Sequence, residues 1–216
     1  MRLFLIRHGE TAWNKDEIFR GRFDVELNEH GLEQARLTAD ALRRLELSAV
    51  YSSPLSRAYD TARLIAEPHG LSVIIEPALA DIDYGIWQGM SHHQVKEQCP
   101  GVYGLWTTAP QKVRFEEGES LDDVKTRALQ ALKQISGRHP GQNVVAVSHR
   151  VVNKVLMCAL LGLDNSHFWS LRQDTCAINV IEEDDQHGYI IHGLNDTSHI
   201  QPLAATFQSK KVAADF

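Results

Sequence analysis

Cysteine is scarce in this sequence. Only three of its 216 residues are cysteines, and no two of them form a CxxC pair. An odd number of widely separated cysteines argues against a disulfide framework. Cys158 and Cys176 lie in apolar stretches and are predicted to be buried thiols. The cysteine content therefore favours a reducing compartment, and we expect a cytoplasmic protein.

The sequence also has no excess of positive charge and no long apolar run. Its 22 lysine and arginine residues are outnumbered by 28 aspartate and glutamate residues, which gives a net charge of −6 and a pI near 6.0. Such a surface does not attract nucleic acid or an anionic membrane, so neither is expected as a partner. The apolar segments are too short to cross a membrane, and residues 1–8 are too short and too polar for a signal peptide.

The chain does contain an alternation of short apolar strands and amphipathic helices. Apolar residues make up 43% of the sequence, which is enough for a substantial core. The predicted strands span residues 2–7, 48–52, 71–76, 143–148, 176–182 and 188–194. This alternation indicates an α/β fold: a three-layer, doubly wound, mostly parallel sheet with helices on both faces.

Capping residues mark the starts of the predicted helices. Asn28 is the predicted N-cap of the first long helix. Ser53 is predicted to cap a helix that begins at Pro54, because proline is favoured at the first helical position. Ser120 and Asp123 resemble a capping box in front of an apolar stripe. The caps thus predict a helix after each of several strands.

Residues 84–119 interrupt the alternation of strands and helices. They contain short helical pieces, two prolines and several glycines. We interpret them as a small helical insertion that forms a lid over one end of the sheet. Residues 1–200 are predicted to be a single domain that includes this lid, and residues 201–216 to be a C-terminal tail, since they show no clear periodicity.

Unusual polar residues follow three of the predicted strands. The first strand ends in Arg7 and His8, the fourth leads into His149 and Arg150, and the second leads into a helix that carries Arg57. Ligands of open α/β sheets bind beyond the carboxyl ends of the strands, and helical side chains lean towards the helix N-terminus. Two histidines and two arginines are therefore expected to converge there.

This combination of side chains suits a phosphoryl group. Arginine forks bind phosphoryl oxygens in pairs, and an imidazole can attack phosphorus to form a phosphohistidine. Taken singly, each residue has an ordinary explanation, such as a core histidine or a solvated arginine, but their joint placement favours a site. No Asp, Glu and His residues stand at the spacing of a metal site, so neither a metal nor another cofactor is expected.

The segment LIRHGETAWN, residues 5–14, resembles the signature of the histidine phosphatase superfamily, which includes the cofactor-dependent phosphoglycerate mutases. Five further segments follow in the order of that family. They are LNEHGLEQA at 27–35, YSSPLSRAYDTA at 51–62, DIDYGIWQGM at 81–90, EGESLDDV at 117–124 and VAVSH at 145–149. The resemblance covers residues 1 to about 200 and implies a phosphoglycerate mutase-like fold.

The resemblance implies a role for individual positions. His8 is similar to the phosphorylated nucleophile of the family, and Arg7, Arg57 and His149 are similar to its phosphate pocket. Asn14, at the end of the first motif, matches a further phosphate contact.

The resemblance also implies a proton donor just before the segment YGIWQG. Asp81 holds that position, where glutamate is usual in the family, and Asp83 is an alternative donor. Arg150 stands where the family often has a small residue, so it either points away or binds an acidic part of the substrate. The predicted catalytic residues are His8, Asp81 and His149, and the predicted substrate-binding residues are Arg7, Asn14, Arg57 and Arg150.

Phosphatase and mutase activities both remain compatible with these motifs. The mutases usually carry a longer insertion with adjacent arginines, whereas the corresponding segment here offers only Lys112 and Arg114. We therefore predict a metal-independent phosphatase of small phosphomonoesters. An acidic phosphorylated metabolite would suit Arg150 together with Lys112 and Arg114.

The identity of the substrate has several alternatives. Segments 81–90, 167–181 and 194–200 are similar to metal-independent phosphoserine phosphatases. Alpha-ribazole phosphatases and broad-specificity phosphatases share the same core motifs. An inactive regulatory module of this fold would be expected to lack a pocket residue, and here all four are present. A homodimer that pairs through the terminal strands is left open.

Overall fold

The computed structural model describes residues 1–15, 17–184 and 186–200. Six strands in these ranges form one sheet. They are β1 (Arg2–Arg7), β2 (Leu47–Ser52), β3 (Val73–Ile75), β4 (Asn143–Ser148), β5 (Ile178–Asp184) and β6 (Gly188–Asp196). Their spatial order is β3-β2-β4-β1-β5-β6. The first four strands pair in parallel, whereas β5 pairs antiparallel with β1 and with β6. The predicted mostly parallel sheet is confirmed.

Seven α-helices lie within the described ranges. They are α1 (Ala12–Lys15), α2 (Glu29–Leu42), α3 (Ser56–Ala66), α4 (His92–Gln98), α5 (Pro100–Thr108), α6 (Leu121–Arg138) and α7 (Arg150–Leu160). Short 3₁₀ turns span Glu67–His69, Pro77–Leu79, Gly85–Trp87, Pro110–Lys112, Asn165–Ser170 and Ser198–Ile200. None of the described helices is long and apolar enough to cross a membrane.

Two apolar clusters lie on opposite faces of the sheet. Alternate residues of a strand point to opposite faces, so Phe4 and Ile6 pack with α2 and α3, whereas Leu3 and Leu5 pack with α6 and α7. Within each cluster most side chains are less than one tenth exposed. Helices therefore cover both faces, and the predicted three-layer α/β architecture is confirmed. Cys158 and Cys176 are buried free thiols, as predicted.

The predicted caps are correct for α2 and α6 but not for α3. The Asn28 side chain accepts a hydrogen bond from the Gly31 amide, and Ser120 and Asp123 form a reciprocal capping box. The prediction that Ser53 caps a helix beginning at Pro54 is wrong, because α3 begins at Ser56. The Ser53 hydroxyl accepts a hydrogen bond from the Leu55 amide and is also hydrogen bonded to a histidine ring, so Ser53 lies in the turn before the helix and Leu55 is the N-cap.

Residues 84–119 form short helices packed around aromatic rings. Trp106 is almost completely buried, and the rings of Tyr84 and Phe115 contact it edge to face. The function of this segment as a lid stays a prediction. The predicted tail, residues 201–216, lies outside the described residues.

Candidate active site

The parallel pairing of β1 and β4 brings two histidines together. Arg7 lies opposite Ser148 in the register, so the next residue of each strand, His8 and His149, leaves the sheet at the same edge. The His8 amide donates a hydrogen bond to the Ser148 carbonyl at 3.0 Å. The centroids of the two imidazole rings lie 5.1 Å apart. Both side chains are buried, at 1% and 0% exposure.

One hydrogen bond determines the tautomer of His8. Nδ1 lies 2.7 Å from the Gly9 carbonyl oxygen, which can only accept, so Nδ1 carries the proton. The lone pair of Nε2 is then available as a nucleophile. The turn at residue 9 packs closely against the start of α2. Glycine is needed there because a Cβ would lie 2.5 Å from the Gly31 carbonyl oxygen. The Gly9 amide also donates to the Thr61 hydroxyl, which ties this turn to α3.

Burial among cations keeps both imidazoles neutral. Burial, and then the charge of Arg57, lower the pKa of His8 well below its usual value. The same two causes lower the pKa of His149. At neutral pH both rings are therefore uncharged, which is the state that a histidine nucleophile requires.

Backbone carbonyl groups hold the two arginines of the cluster. Arg7 Nη1 donates to the Gln173 carbonyl at 2.7 Å. Arg57 donates from Nη1 to the Phe23 carbonyl and from Nη2 to the Gly21 carbonyl, each at 2.8 Å. Burial lowers the pKa of Arg7 to about 9, and the Arg57 side chain is wholly inaccessible. Arg7, His8, Arg57 and His149 are called the histidine–arginine cluster below.

Three buried nitrogens of this cluster have no hydrogen-bond partner in the part of the chain that the structure describes. They are Arg7 Nε, Arg57 Nε and His149 Nδ1. An unpaired buried donor costs roughly 1–3 kcal/mol, so a molecule that offers several acceptor oxygens would be stabilised here. A phosphoryl group is such a molecule. The other ring nitrogen of His149, Nε2, is hydrogen bonded to the Ser53 hydroxyl at 2.7 Å.

Asp81 lies at the edge of the cluster. Its Oδ2 is 3.3 Å from Arg57 Nη2 and 3.7 Å from His149 Nδ1. Its Oδ1 accepts a hydrogen bond from the Ile82 amide at 3.0 Å. By contrast, the Asp83 carboxylate accepts from the Gly85 amide. Of the two candidate donors, the structure thus brings Asp81 to the histidine–arginine cluster.

An outer pocket of about 380 Å³ meets the cluster at Arg7. It is lined by Arg7, Glu10, Trp13, Asn14, Glu17, Ile18, Arg20, His92, Tyr103, Arg150, Trp169, Asp174 and Thr175. A smaller cavity that shares Arg20, His92 and Arg150 with it reaches Asp81 and Tyr84. The outer pocket therefore adjoins the histidine–arginine cluster at Arg7, and the smaller cavity reaches the Asp81 carboxylate.

Of the remaining predicted site residues, Asn14 and Arg150 line the outer pocket, whereas Lys112 and Arg114 do not. Asn14 lines it, and its Oδ1 accepts hydrogen bonds from the amide and hydroxyl of Thr11. Arg150 also lines it, with its guanidinium 6.0 Å from the Trp169 ring. The expectation that Lys112 and Arg114 would join Arg150 is wrong. Neither lines the pocket, and Arg114 instead binds Asp123 at the start of α6.

A comparison with protein families accords with this geometry. Residues 3–197 match the family described as the histidine phosphatase superfamily, branch 1. The chain belongs to the histidine phosphatase superfamily. The resemblance inferred from the six motifs is thereby confirmed.

Individual relatives of this phosphatase cover nearly the whole chain. Phosphoserine phosphatase 1 of Hydrogenobacter thermophilus is 42% identical over 200 residues, which are 93% of this chain and 94% of the relative. The metal-independent phosphoserine phosphatase of Arabidopsis thaliana is 33% identical over 204 residues, 93% of this chain and 84% of the relative. The solved structure of YhfR from Bacillus stearothermophilus superposes with a TM-score of 0.88 at 32% identity, covering 92% of this chain and 98% of that one. The predicted enzyme class, a phosphoric monoester hydrolase, is confirmed.

Sequence reasoning missed several residues of the site of this phosphatase. Arg20 lines both cavities, and burial, together with the charge of Arg57, lowers its pKa to about 10. Arg20 and Arg22 flank a glycine in an otherwise acidic stretch, and that pattern was the available signal. His92, which the sequence analysis did not assign to the site, lines the outer pocket, and its ring centroid lies 4.2 Å from that of Phe19. Asp174 also lines the outer pocket, and no pattern in the neighbouring sequence predicts that position.

Proposed function

We propose that this phosphatase hydrolyses small phosphomonoesters without a metal ion, through a phosphohistidine formed on His8. The observation that carries the proposal is the neutral His8 ring, held by Gly9 with its Nε2 lone pair available, beside two buried guanidinium groups. Such a site supplies a nucleophile and charge stabilisation from the protein itself. In the described ranges, no three His, Cys, Asp or Glu side chains form a group that could hold a metal ion.

The first step transfers the phosphoryl group to His8. Nε2 attacks phosphorus, the Nε2–P bond forms and the ester P–O bond breaks. Arg7, Arg57 and His149 bind the phosphoryl oxygens, and His8 keeps its proton on Nδ1, which donates a hydrogen bond to the Gly9 carbonyl oxygen. The leaving oxygen takes a proton from the Asp81 carboxyl group, so the organic part of the ester departs as an alcohol and Asp81 is left as a carboxylate.

The second step restores the enzyme. A water molecule attacks phosphorus, the O–P bond forms and the Nε2–P bond breaks. The carboxylate of Asp81 takes the proton of the water, and inorganic phosphate is released. The same residue thus acts as acid in the first step and as base in the second.

We further propose phosphoserine as the substrate class. Two relatives that cover nine tenths of the chain carry the name phosphoserine phosphatase. The outer pocket has charges of both signs, because Arg20 and Arg150 line it together with Glu17 and Asp174. Phosphoserine carries a carboxylate and an ammonium group next to its phosphate, so it offers a partner to both kinds of side chain. The segment 84–119 is proposed to cover the bound ester, and the cytoplasmic location and the homodimer stay predictions.

The test of the mechanism is a His8→Ala variant assayed with EDTA present. We expect turnover of p-nitrophenyl phosphate and phosphoserine to fall by at least about 10³-fold, since the nucleophile is lost. The exposed His93→Ala variant serves as the control and should behave like the wild type. Rapid quenching with ³²P-labelled substrate should leave label on His8 in the wild type only. Label on another residue, or a requirement for added magnesium, would overturn the proposal.

A panel of phosphorylated metabolites tests the substrate. Phosphoserine, 3-phosphoglycerate and alpha-ribazole phosphate are compared by kcat/KM. Phosphoserine is expected to rank first. Release of phosphate with alpha-ribazole phosphate as the best substrate, or isomerisation of 3-phosphoglycerate without phosphate release, would contradict the assignment.

A further inference from the structure

Arg127, on α6, forms hydrogen bonds with the main chain that leads to Asp81. Its Nη1 donates to the carbonyl groups of Ala78 and Ala80, at 2.6 and 2.7 Å. Its Nη2 donates to the carbonyl of Asp81 itself at 3.2 Å. A single guanidinium thus binds three carbonyl groups of one four-residue segment.

Glu119 orients that guanidinium and also holds the chain beyond Asp81. Its two carboxylate oxygens accept hydrogen bonds from Arg127 Nε and Nη2, at 2.8 and 3.0 Å. Oε2 also accepts from the Asp83 amide at 2.9 Å. The segment around Asp81 is therefore tied on one side by Arg127 and on the other by its partner Glu119.

Arg22 completes this group from the opposite side. Its Nε donates to the Asp81 carbonyl at 3.1 Å, and its Nη2 lies 3.3 Å from Glu119 Oε2. Partial burial acts to raise the pKa of Glu119, but the hydrogen bonds from Arg127 and the Asp83 amide outweigh it and the pKa is lowered. Glu119 is therefore an anion at neutral pH, and each of these bonds is charge-assisted.

Close backbone contact makes the same region rigid. A Cβ on Gly85 would collide with the Glu116 carbonyl oxygen, and a Cβ on Gly118 would lie 2.5 Å from the Asp83 carbonyl oxygen. Residues 83–85 and 116–118 therefore pack backbone against backbone. This contact holds the chain just beyond Asp81 against the segment that precedes α6.

The geometry points to Arg127, together with Glu119 and Arg22, as the positioning group that sets the reach of the Asp81 carboxyl group. This inference rests on the proposed function, in which Asp81 is the proton donor. Aspartate has a short side chain, so the position of its carboxyl group follows the position of its main chain closely. A displacement of 1 Å can lower the rate of a proton transfer about 10²-fold. Arg127 and Glu119 act through Asp81 and do not touch the phosphoryl group.

Leaving-group dependence separates positioning from a merely structural role. p-Nitrophenolate departs without a proton, whereas the alkoxide of an alkyl ester needs one. Asp81→Asn, Arg127→Lys and Glu119→Gln are therefore each assayed with p-nitrophenyl phosphate and with phosphoserine. The exposed pair Arg36 and Glu33, on α2, offers the matched controls Arg36→Lys and Glu33→Gln.

We expect Asp81→Asn to lower kcat/KM for phosphoserine about 10²-fold more than kcat/KM for p-nitrophenyl phosphate, because kcat/KM reports the first step, whereas loss of the base slows the second step equally for both esters. For Arg127→Lys and Glu119→Gln the excess loss on phosphoserine should be about tenfold, since the carboxyl group is displaced but present. KM for either ester should change less than about threefold, because the phosphate-binding cations are intact. The control variants should show no excess loss.

The outcomes distinguish two failures. Equal losses on both esters for Arg127→Lys and Glu119→Gln, with Asp81→Asn selective, would overturn the positioning role alone. If Asp81→Asn itself shows no selectivity, the proton-donor assignment fails and the inference fails with it. Thermal unfolding is recorded for each variant. Glu119→Gln keeps an acceptor for the Asp83 amide, so it decides the question if Arg127→Lys does not fold.

Discussion

The histidine–arginine cluster and the outer pocket adjoin each other but are built differently. The cluster comes from the ends of β1 and β4 and the first turn of α3, and its four side chains are at most 6% exposed. The outer pocket draws on α4, α5, α7 and the loop that carries Asp174, and most of its lining side chains are partly exposed. Under the proposed function, the strand ends and the start of α3 would supply the reacting groups, whereas loops and helix ends would supply the contacts that vary with the substrate.

This difference predicts two kinds of variant. A change in the cluster should affect all phosphomonoesters equally, since each presents the same phosphoryl group. A change in the outer pocket should affect esters according to the group attached to the phosphate. The predictions below run from the largest expected effect to the smallest.

Arg57→Ala should lower kcat/KM for every phosphomonoester by about 10³-fold, because it removes charge stabilisation from a buried site. It also leaves Asp81 Oδ2 without its ion-pair partner. Steady-state kinetics with p-nitrophenyl phosphate and phosphoserine check the result, and Arg63→Ala on the exposed face of α3 is the control. A loss that is confined to one of the two esters would contradict the prediction that a change in the cluster affects all phosphomonoesters equally.

The buried histidines of the cluster should make the fold sensitive to acid. The pKa values of His8 and His149 are lowered in the folded state, so the unfolded chain binds protons first as the pH falls below about 6.5. The free energy of unfolding should therefore drop between pH 7 and pH 5, by about 2 kcal/mol for each histidine.

Urea unfolding of the wild type and of His149→Gln at several pH values measures the contribution of His149 to the pH dependence of the free energy of unfolding. The variant should lose less stability on acidification than the wild type does. His187→Gln, at an exposed position beside Asp184, should follow the wild-type curve. Parallel curves for His149→Gln and the wild type would contradict a neutral, buried His149.

Arg150→Ala should have the smallest and the most selective effect. It should raise KM for phosphoserine about tenfold, the order expected for one charged contact, and leave p-nitrophenyl phosphate within about twofold. The reason is that Arg150 lines the outer pocket beside Trp169 and is absent from the histidine–arginine cluster. An unchanged ranking of substrates in the metabolite panel would show that Arg150 does not contribute to substrate specificity.

The fold was largely predictable because its signals are local. Continuous apolar runs predict buried strands, and the caps at Asn28 and Ser120 predict helix starts correctly. The start of α3 was not predictable from the same rules. Ser53 is a residue type that favours caps, yet it lies in the turn before the helix, where its hydroxyl binds both the Leu55 amide and His149, which is 96 residues away in the chain.

The residues of the candidate site likewise fall into those that local signals predict and those that depend on distant contacts. Arg7, His8, Arg57 and His149 could be inferred because strand ends and a helix start have a known direction in an α/β fold. Arg20 and Asp174 could not, since they lie in loops whose path depends on distant contacts. The choice between Asp81 and Asp83 likewise required the position of one backbone relative to another.

By itself, the order of residues in this chain determined the α/β architecture and the strand ends at which two histidines and two arginines would meet. Periodicity, caps and strand direction are properties of neighbouring residues, so they can be read without coordinates. The tertiary structure alone decided which carboxylate faces the cluster, which tautomer His8 adopts and which loops line the outer pocket. These depend on hydrogen bonds between segments far apart in the chain, such as those from Arg127 to the carbonyl groups of residues 78–81.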